Sequence, residues 1–122
     1  MADEIKVTET IRVTKTSTNY KDSIAPGQIS FDMAGNGGGN PGVVNIGTSE
    51  ENVSFGDLTP NMVWMQNLDP TNYVQWGMSD AGTMKAVGRL NPGETARFVL
   101  DSGVTLRMKA HTAACDVLIK GY

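Results

Sequence analysis

The stretch Asn91-Pro92-Gly93-Glu94-Thr95-Ala96-Arg97-Phe98-Val99-Leu100-Asp101-Ser102-Gly103-Val104-Thr105-Leu106-Arg107-Met108-Lys109 sets the fold class. Val104, Leu106 and Met108 alternate with Thr105, Arg107 and Lys109, and Ala96, Phe98 and Leu100 alternate with Arg97 and Val99. A period of two puts one apolar and one polar face on an extended chain, which is the pattern of a half-buried strand. Two turn signals bound these runs. In Asn91-Pro92-Gly93-Glu94, proline presets φ at the second position and glycine supplies positive φ at the third, as a type II turn requires. This predicts a hairpin joining 84–90 to 95–100, and Asp101-Ser102-Gly103 predicts a second one leading into 104–110.

The same alternation extends outward in both directions. Cys115, Val117 and Ile119 share a face near the C-terminal end of the sequence, and Ile29, Phe31 and Met33 share one after the predicted turn Pro26-Gly27. In the first segment Ile5, Val7, Ile11 and Val13 oppose Lys6, Thr8, Thr10, Arg12 and Thr14, with Glu9 as the one break. Asn40-Pro41-Gly42 reads as a further turn. No window carries a helical stripe; single helical turns at Asp69–Tyr73 and Asn91–Glu94 are the most such a pattern allows. With 14 glycines, many threonines and valines and frequent turns, the expectation is an all-β, antiparallel β-sandwich of about nine short strands, a jelly roll being one form of it. One sandwich domain over residues 1–122 is expected, with residues 1–16 as an N-terminal strand arm and residues 35–42 as a glycine-rich loop.

Bulk properties narrow the function classes. A chain of 122 residues with a mean hydropathy of -0.24 is long enough to bury a core without staples. The formal charge is -3, with 4 basic against 8 acidic residues in 1–60 and 6 against 5 in 61–122. That balance is wrong for a nucleic-acid partner, which wants clustered Lys and Arg. No apolar run approaches the length of a membrane helix. Acidic Asp3 and Glu4 stand where a signal peptide would begin its apolar run, so synthesis in the cytoplasm is expected. The single cysteine, Cys115, cannot form an internal disulfide.

Catalytic and metal-binding parts are sparse. His111 and Cys115 are four residues apart, but a Cys/His pair needs hydrogen-bond reach and an orienting third group. With His111 in a loop and Cys115 facing the core, the two would not meet. One histidine does not build the usual zinc cluster, and Asp32, Glu50, Glu51 and Asp57 lack calcium-loop spacing, reading instead as solvated acidic turns. The glycine loop 35–42 runs into another strand with no Lys nearby, unlike a phosphate-binding loop. The expectation is a non-enzyme with no catalytic, cofactor-binding or metal site, whose work is done by interfaces. Met62-Val63-Trp64-Met65 is apolar on both strand faces: it is either a strand buried on both sides or a strand whose outer face meets a subunit. The interface candidates are Ile5, Val7 and Ile11 on the arm, Met62, Trp64 and Trp76 on the body, and Gly37 and Gly38 in the glycine loop.

Gln66-Asn67-Leu68-Asp69-Pro70-Thr71-Asn72-Tyr73-Val74, Leu90-Asn91-Pro92-Gly93-Glu94, Gly103-Val104-Thr105-Leu106 and Ala110-His111-Thr112-Ala113-Ala114 together resemble a pattern of small virion structural proteins of tailed bacteriophages. The resemblance covers about residues 62–122 and does not extend to residues 1–60. It implies a virion protein, foremost a capsid decoration or cement protein that holds the phage head through contacts with the major capsid protein or other virion proteins. Proteins of that kind often assemble as homotrimers. A tail or baseplate component is the alternative within the class. A carbohydrate-binding β-sandwich, with Trp64, Tyr73 and Trp76 stacking on sugar rings, is the alternative from another class. Asn67, Asp69 and Asn72 are expected to make Asx-turns that fix a tight connection, an architectural role.

Overall fold

A computed structural model of the chain describes residues 4–35 and 39–122. The chain is nearly all-β, and every strand pair is antiparallel. It divides into two units, Met1–Met33 and Ala34–Tyr122, where the sequence pattern predicts one domain over 1–122. Gly37 and Gly38 lie outside the described residues.

The first unit is a two-stranded ribbon. Strand β1 (Ile5–Lys15) turns through a short 3-10 segment, Thr16–Thr18, and Asn19 in the left-handed region (φ 54), into β2 (Tyr20–Phe31). The expected arm over 1–16 thus gains a second strand. Pro26-Gly27 makes no chain reversal; it lies inside β2. Opposite it the register slips: Glu9 faces Gly27 while Ile11 faces Ile24, so β2 carries one extra residue there. A bulge tolerates a proline and a positive φ, and Gly27 has φ 89. The extra residue also reverses the phase of alternation. Phe31 and Ile29, at odd positions, therefore share a face with Ile24 and Tyr20, at even ones.

Among its described residues the second unit has eight strands: β3 (Asn40–Ile46), β4 (Glu51–Asn52), β5 (Val63–Asn67), β6 (Val74–Asp80), β7 (Thr83–Leu90), β8 (Thr95–Phe98), β9 (Leu106–Ala110) and β10 (Cys115–Gly121). They form two four-stranded sheets in the orders β3-β10-β5-β8 and β4-β9-β6-β7. The pairs nest about one hairpin: β6 with β7, β5 with β8, β4 with β9 and β3 with β10. One long antiparallel ribbon rolled on itself gives this order, that of a jelly roll. At its centre Ala81 and Gly82 (φ 51 and 84) make the two-residue primed turn that suits strand twist.

Alternation in sequence becomes burial in space. Val63, Met65 and Asn67 of β5, Leu106, Met108 and Ala110 of β9, and Cys115, Val117, Ile119 and Gly121 of β10 point inward and are buried. With Ile46, Val74 and Leu90 they form the core between the two sheets. Each fully buried Leu, Ile, Val or Met contributes about 1.5–3 kcal/mol of apolar transfer free energy.

Both predicted turns of the 91–109 stretch are present. Glu94 N–H donates to the Asn91 carbonyl (2.9 Å) with Gly93 at φ 81, and Val104 N–H donates to the Asp101 carbonyl (3.2 Å). The hairpins expected on either side of them are not. After each turn the chain crosses to the other sheet, so β7, β8 and β9 are not neighbours. Residues 91–94 dock instead on β5: Gly93 N–H donates to the Asn67 carbonyl (3.0 Å) and Asn67 N–H to the Glu94 carbonyl (3.1 Å). Asn40-Pro41-Gly42 opens β3 rather than making a turn, and an edge strand tolerates the proline because that side needs no donor. Neither Asp69–Tyr73 nor Asn91–Glu94 is helical.

Candidate functional site

On the ribbon, Ile5, Val7, Ile11 and Val13 of β1 face Phe31, Ile29, Ile24 and Asp22 of β2 in register, so one face is an apolar stripe. Ile5 is buried and Val7 partly so, but Ile11, Ile24 and Ile29 keep about half their surface exposed (50%, 49% and 47%). The other face presents Lys6, Thr8, Arg12, Lys21, Ser23 and Ser30. Ile24 was not legible as a contact residue, because the bulge that turns it to this side lies at what reads as a turn. The change from odd to even apolar positions across Pro26-Gly27 is the signal that marks it.

On the body, β5 lies between β10 and β8. Val63 and Met65 enter the core, and Met62, just before the strand, is also buried. Trp64 alone of the four turns outward and is partly exposed. Its cross-strand neighbours are Lys120 and Arg97, and the next row runs Val43, Leu118, Gln66, Thr95. Trp64 thus stands between two cationic side chains, and the exposed Val43 lies in the next row, across Leu118. Trp76 does not extend this outer face. It lies on β6 in the other sheet and stacks on Phe98 (ring centroids 5.0 Å, planes 4° apart), leaning over Gly88 against the core. A carbohydrate platform needs Trp64, Tyr73 and Trp76 in line. The structure places them on an outer sheet face, at a loop and inside the sandwich respectively.

Three of the four stretches that carry the virion resemblance converge at one end of the body. Asn67 is fully buried; its Nδ2 donates to the Asn72 carbonyl (2.9 Å) and the Leu90 carbonyl (3.0 Å), and its Oδ1 accepts from Asp69 N–H (2.9 Å). Asp69 Oδ2 accepts from Thr71 and Asn72 N–H (2.9 and 2.6 Å), so the expected Asx-turns are formed by Asn67 and Asp69, while Asn72 takes part through its carbonyl. Asn91 N–H donates to Glu94 Oε1 (2.8 Å), closing the neighbouring turn. Beside them Tyr73 stacks on His111 (4.5 Å, 10° between planes) and holds the Arg89 guanidinium 4.5 Å from its ring centroid. These side chains tie the β5–β6, β7–β8 and β9–β10 connections together.

His111 and Cys115 do not form a pair. His111 is exposed on Tyr73, whereas the Cys115 Sγ is buried near the Asn72 and Ala113 carbonyls (3.7 and 3.5 Å). Burial, then the nearby Asp69 and Asp116 carboxylates, push its thiol above the ordinary value of 9.0. That is the opposite of an activated nucleophile.

Two of the acidic residues expected in solvated turns are structural. Glu50 Oε2 accepts from Met84 N–H (3.2 Å) and lies 3.6 Å from Arg107, and Glu51 Oε2 accepts from Gly47 N–H (3.0 Å). Among the described residues no three His, Cys, Asp or Glu side chains cluster as metal ligands, and no helix is long and apolar enough to cross a membrane. A cleft of about 270 Å³ opens at the other end of the body, between the β4–β5 and β8–β9 connections, lined by Phe55, Leu58, Leu100 and Thr105 among others. It falls just under the usual volume of a small-ligand pocket.

In comparisons with known proteins, no family model, curated protein or solved structure matches the chain.

Proposed function

We propose that this protein is a virion structural component, a capsid decoration or cement protein that works by protein–protein contact. The observation that carries the reading is the ribbon. A two-stranded ribbon is at best marginal in water without a cover for its apolar face, and this one keeps Ile11, Ile24 and Ile29 half exposed. An amphipathic ribbon of that kind suits a capsid surface as its cover. The jelly-roll body suits the role as well, since its loop ends are tied by side-chain hydrogen bonds and leave the sheet faces for contacts. Fold alone does not carry function; the compartment comes from the resemblance over residues 62–122.

The test is a deletion of residues 2–33, with binding to purified heads that lack the protein. The deleted protein keeps the near-ultraviolet and fluorescence signature of its body and no longer binds heads. Normal binding by the deleted protein removes the ribbon from the mechanism. Assembly of the intact protein into rings of six or twelve copies, rather than trimers, transfers the reading to the tail or baseplate.

A further inference from the structure

The free strand edges of this chain are not equivalent. Of the edge strands, β4 has two residues and β8 four, too short to template much pairing. Strand β3 opens with Pro41. Strand β7 carries an extra residue at Val87, since Trp76 faces Gly88 while Gly77 faces Ala86, and Lys85 and Arg89 flank that bulge. Strand β2 carries Pro26 and its own bulge. These are the devices by which natural sheets discourage added strands: short length, proline, bulges and charge. Strand β1 has only the last of them, in Lys6, Glu9, Arg12 and Lys15. Its eleven residues run without proline or an inserted residue, and among the described residues its one strand neighbour is β2.

From this contrast we infer that the outer edge of β1 is a self-pairing edge, which takes β1 of a second copy of this chain in antiparallel register about a two-fold axis at Thr10. Three points fix the occupant and the register. A two-fold at Thr10 pairs all eleven residues, because β1 runs from Ile5 to Lys15. It keeps odd positions opposite odd positions, so Val7 meets the second copy's Val13, Glu9 meets its Ile11, and the two apolar stripes join on one face. It also places no charge opposite its own sign: Lys6 meets Thr14 of the second copy and Thr8 meets Arg12. Centring the axis on Glu9 or Arg12 would set that charge against itself, and a half-step shift would turn one apolar stripe to the polar face.

The product is a four-stranded sheet, β2-β1 joined to β1-β2 of the second copy. It meets the strand number at which a sheet with one covered face becomes stable, and it doubles the apolar face presented to any partner. A two-fold contact of this kind adds to any three-fold contact made by the body and does not close a trimer by itself. The pairing follows from the ribbon's geometry alone and holds whether or not the protein belongs to a virion.

The experiment uses the full-length protein, with spin labels placed singly at Lys6, Thr8, Arg12 and Thr14, and a Thr10→Cys variant for cross-linking. A label at position n lies from its copy by twice the offset from Thr10. That gives axial separations of about 14 Å at positions 8 and 12 and about 27 Å at positions 6 and 14, at ~3.4 Å per residue. The expected result is this V-shaped dependence with its minimum at position 10, and a cross-linked dimer of Thr10→Cys. Thr8→Arg, which sets two Arg pairs across the contact, raises the dimer dissociation constant several-fold, and Thr8→Glu lowers it. A monomer at all concentrations overturns the inference. So does a profile without a minimum at Thr10, or a face-to-face stack in which labels on the polar face stay far apart at every position.

Discussion

Asn67→Ala is the substitution that tests most directly how the loop end of the body is held. The amide is fully buried and bonds main-chain groups only: the Asn72 and Leu90 carbonyls and the Asp69 N–H. The bond to Leu90 is buried, so that carbonyl is left unpaired, at about 1–3 kcal/mol. The other two groups are part-buried and regain water, which limits their loss to about 0.5–1.5 kcal/mol each. The sum is about 4 kcal/mol, which for a domain of this size lowers Tm by roughly 15–30 °C. Urea unfolding followed by tryptophan fluorescence measures it, because Trp76 packs against the same core. The slope against urea stays constant while the midpoint falls.

Asn67→Asp separates hydrogen bonding from shape. It keeps the acceptor for Asp69 N–H but turns a carboxylate oxygen toward two carbonyls, so burial and repulsion raise its folded-state pKa. With the folded pKa above the unfolded one, the folded state binds the extra proton. The penalty is therefore greatest at neutral pH and shrinks as pH falls through the folded pKa. A loss below about 1 kcal/mol for Asn67→Ala, or an Asn67→Asp penalty that does not change with pH, overturns this account: water would then be replacing the amide.

Gly77→Ala puts a Cβ into the Lys85 carbonyl and the Ala86 Cα at the β6–β7 bulge; a stability loss of at least about 2 kcal/mol is expected in the same urea assay, and near-neutrality would mean that the two strands separate freely there. The Cys115 thiol reacts with a disulfide reagent only after unfolding, and prompt reaction of the folded protein at pH 8 would contradict its burial. Because its folded pKa is raised, its contribution to stability is complete below the ordinary value of 9.0 and declines as pH rises above it, which alkaline urea titrations of the wild type and Cys115→Ala resolve. Ile11→Lys with Ile24→Lys removes a cross-strand pair of half-exposed isoleucines from the ribbon. At about 1 kcal/mol for each half-buried isoleucine replaced, head binding weakens on the order of thirtyfold, while the urea midpoint of the body is unchanged; unaltered binding would exclude this face from the capsid interface.

Much of this protein is written locally. Alternation at Val104–Lys109, Cys115–Lys120 and Ile5–Thr14 is enough to make strands, because a pleated chain sends successive side chains to opposite sides. Asn91-Pro92-Gly93-Glu94 and Asp101-Ser102-Gly103 favour turns, since Pro92 holds its φ and Gly93 and Gly103 accept positive φ at little cost. The similar Pro26-Gly27 and Asn40-Pro41-Gly42 are nonetheless taken up into strands. Asn67 and Asp69 fold their own loop by bonding main chain within a few residues. What such signals do not contain is the choice of partner. A turn reverses the chain without saying whether the next strand pairs with the last one or crosses to the opposite sheet. Here β8 finds β5 and β10 finds β3, as in the pair Ile46 and Cys115. Those choices rest on hydrogen bonds and core packing between distant segments, and nesting about Ala81-Gly82 satisfies them all at once. The same holds for the faces. Trp64 and Trp76 have similar apolar surroundings in sequence, yet one lies on an outer sheet face and the other packs inward on Phe98. In the ribbon one inserted residue at Pro26-Gly27 turns Ile24 onto the stripe of Ile29. Local chemistry proposes strands and turns, whereas which turns reverse the chain, which strands pair, and with them the surface left for a partner, are fixed only when all the strands compete for the same edges and the same core.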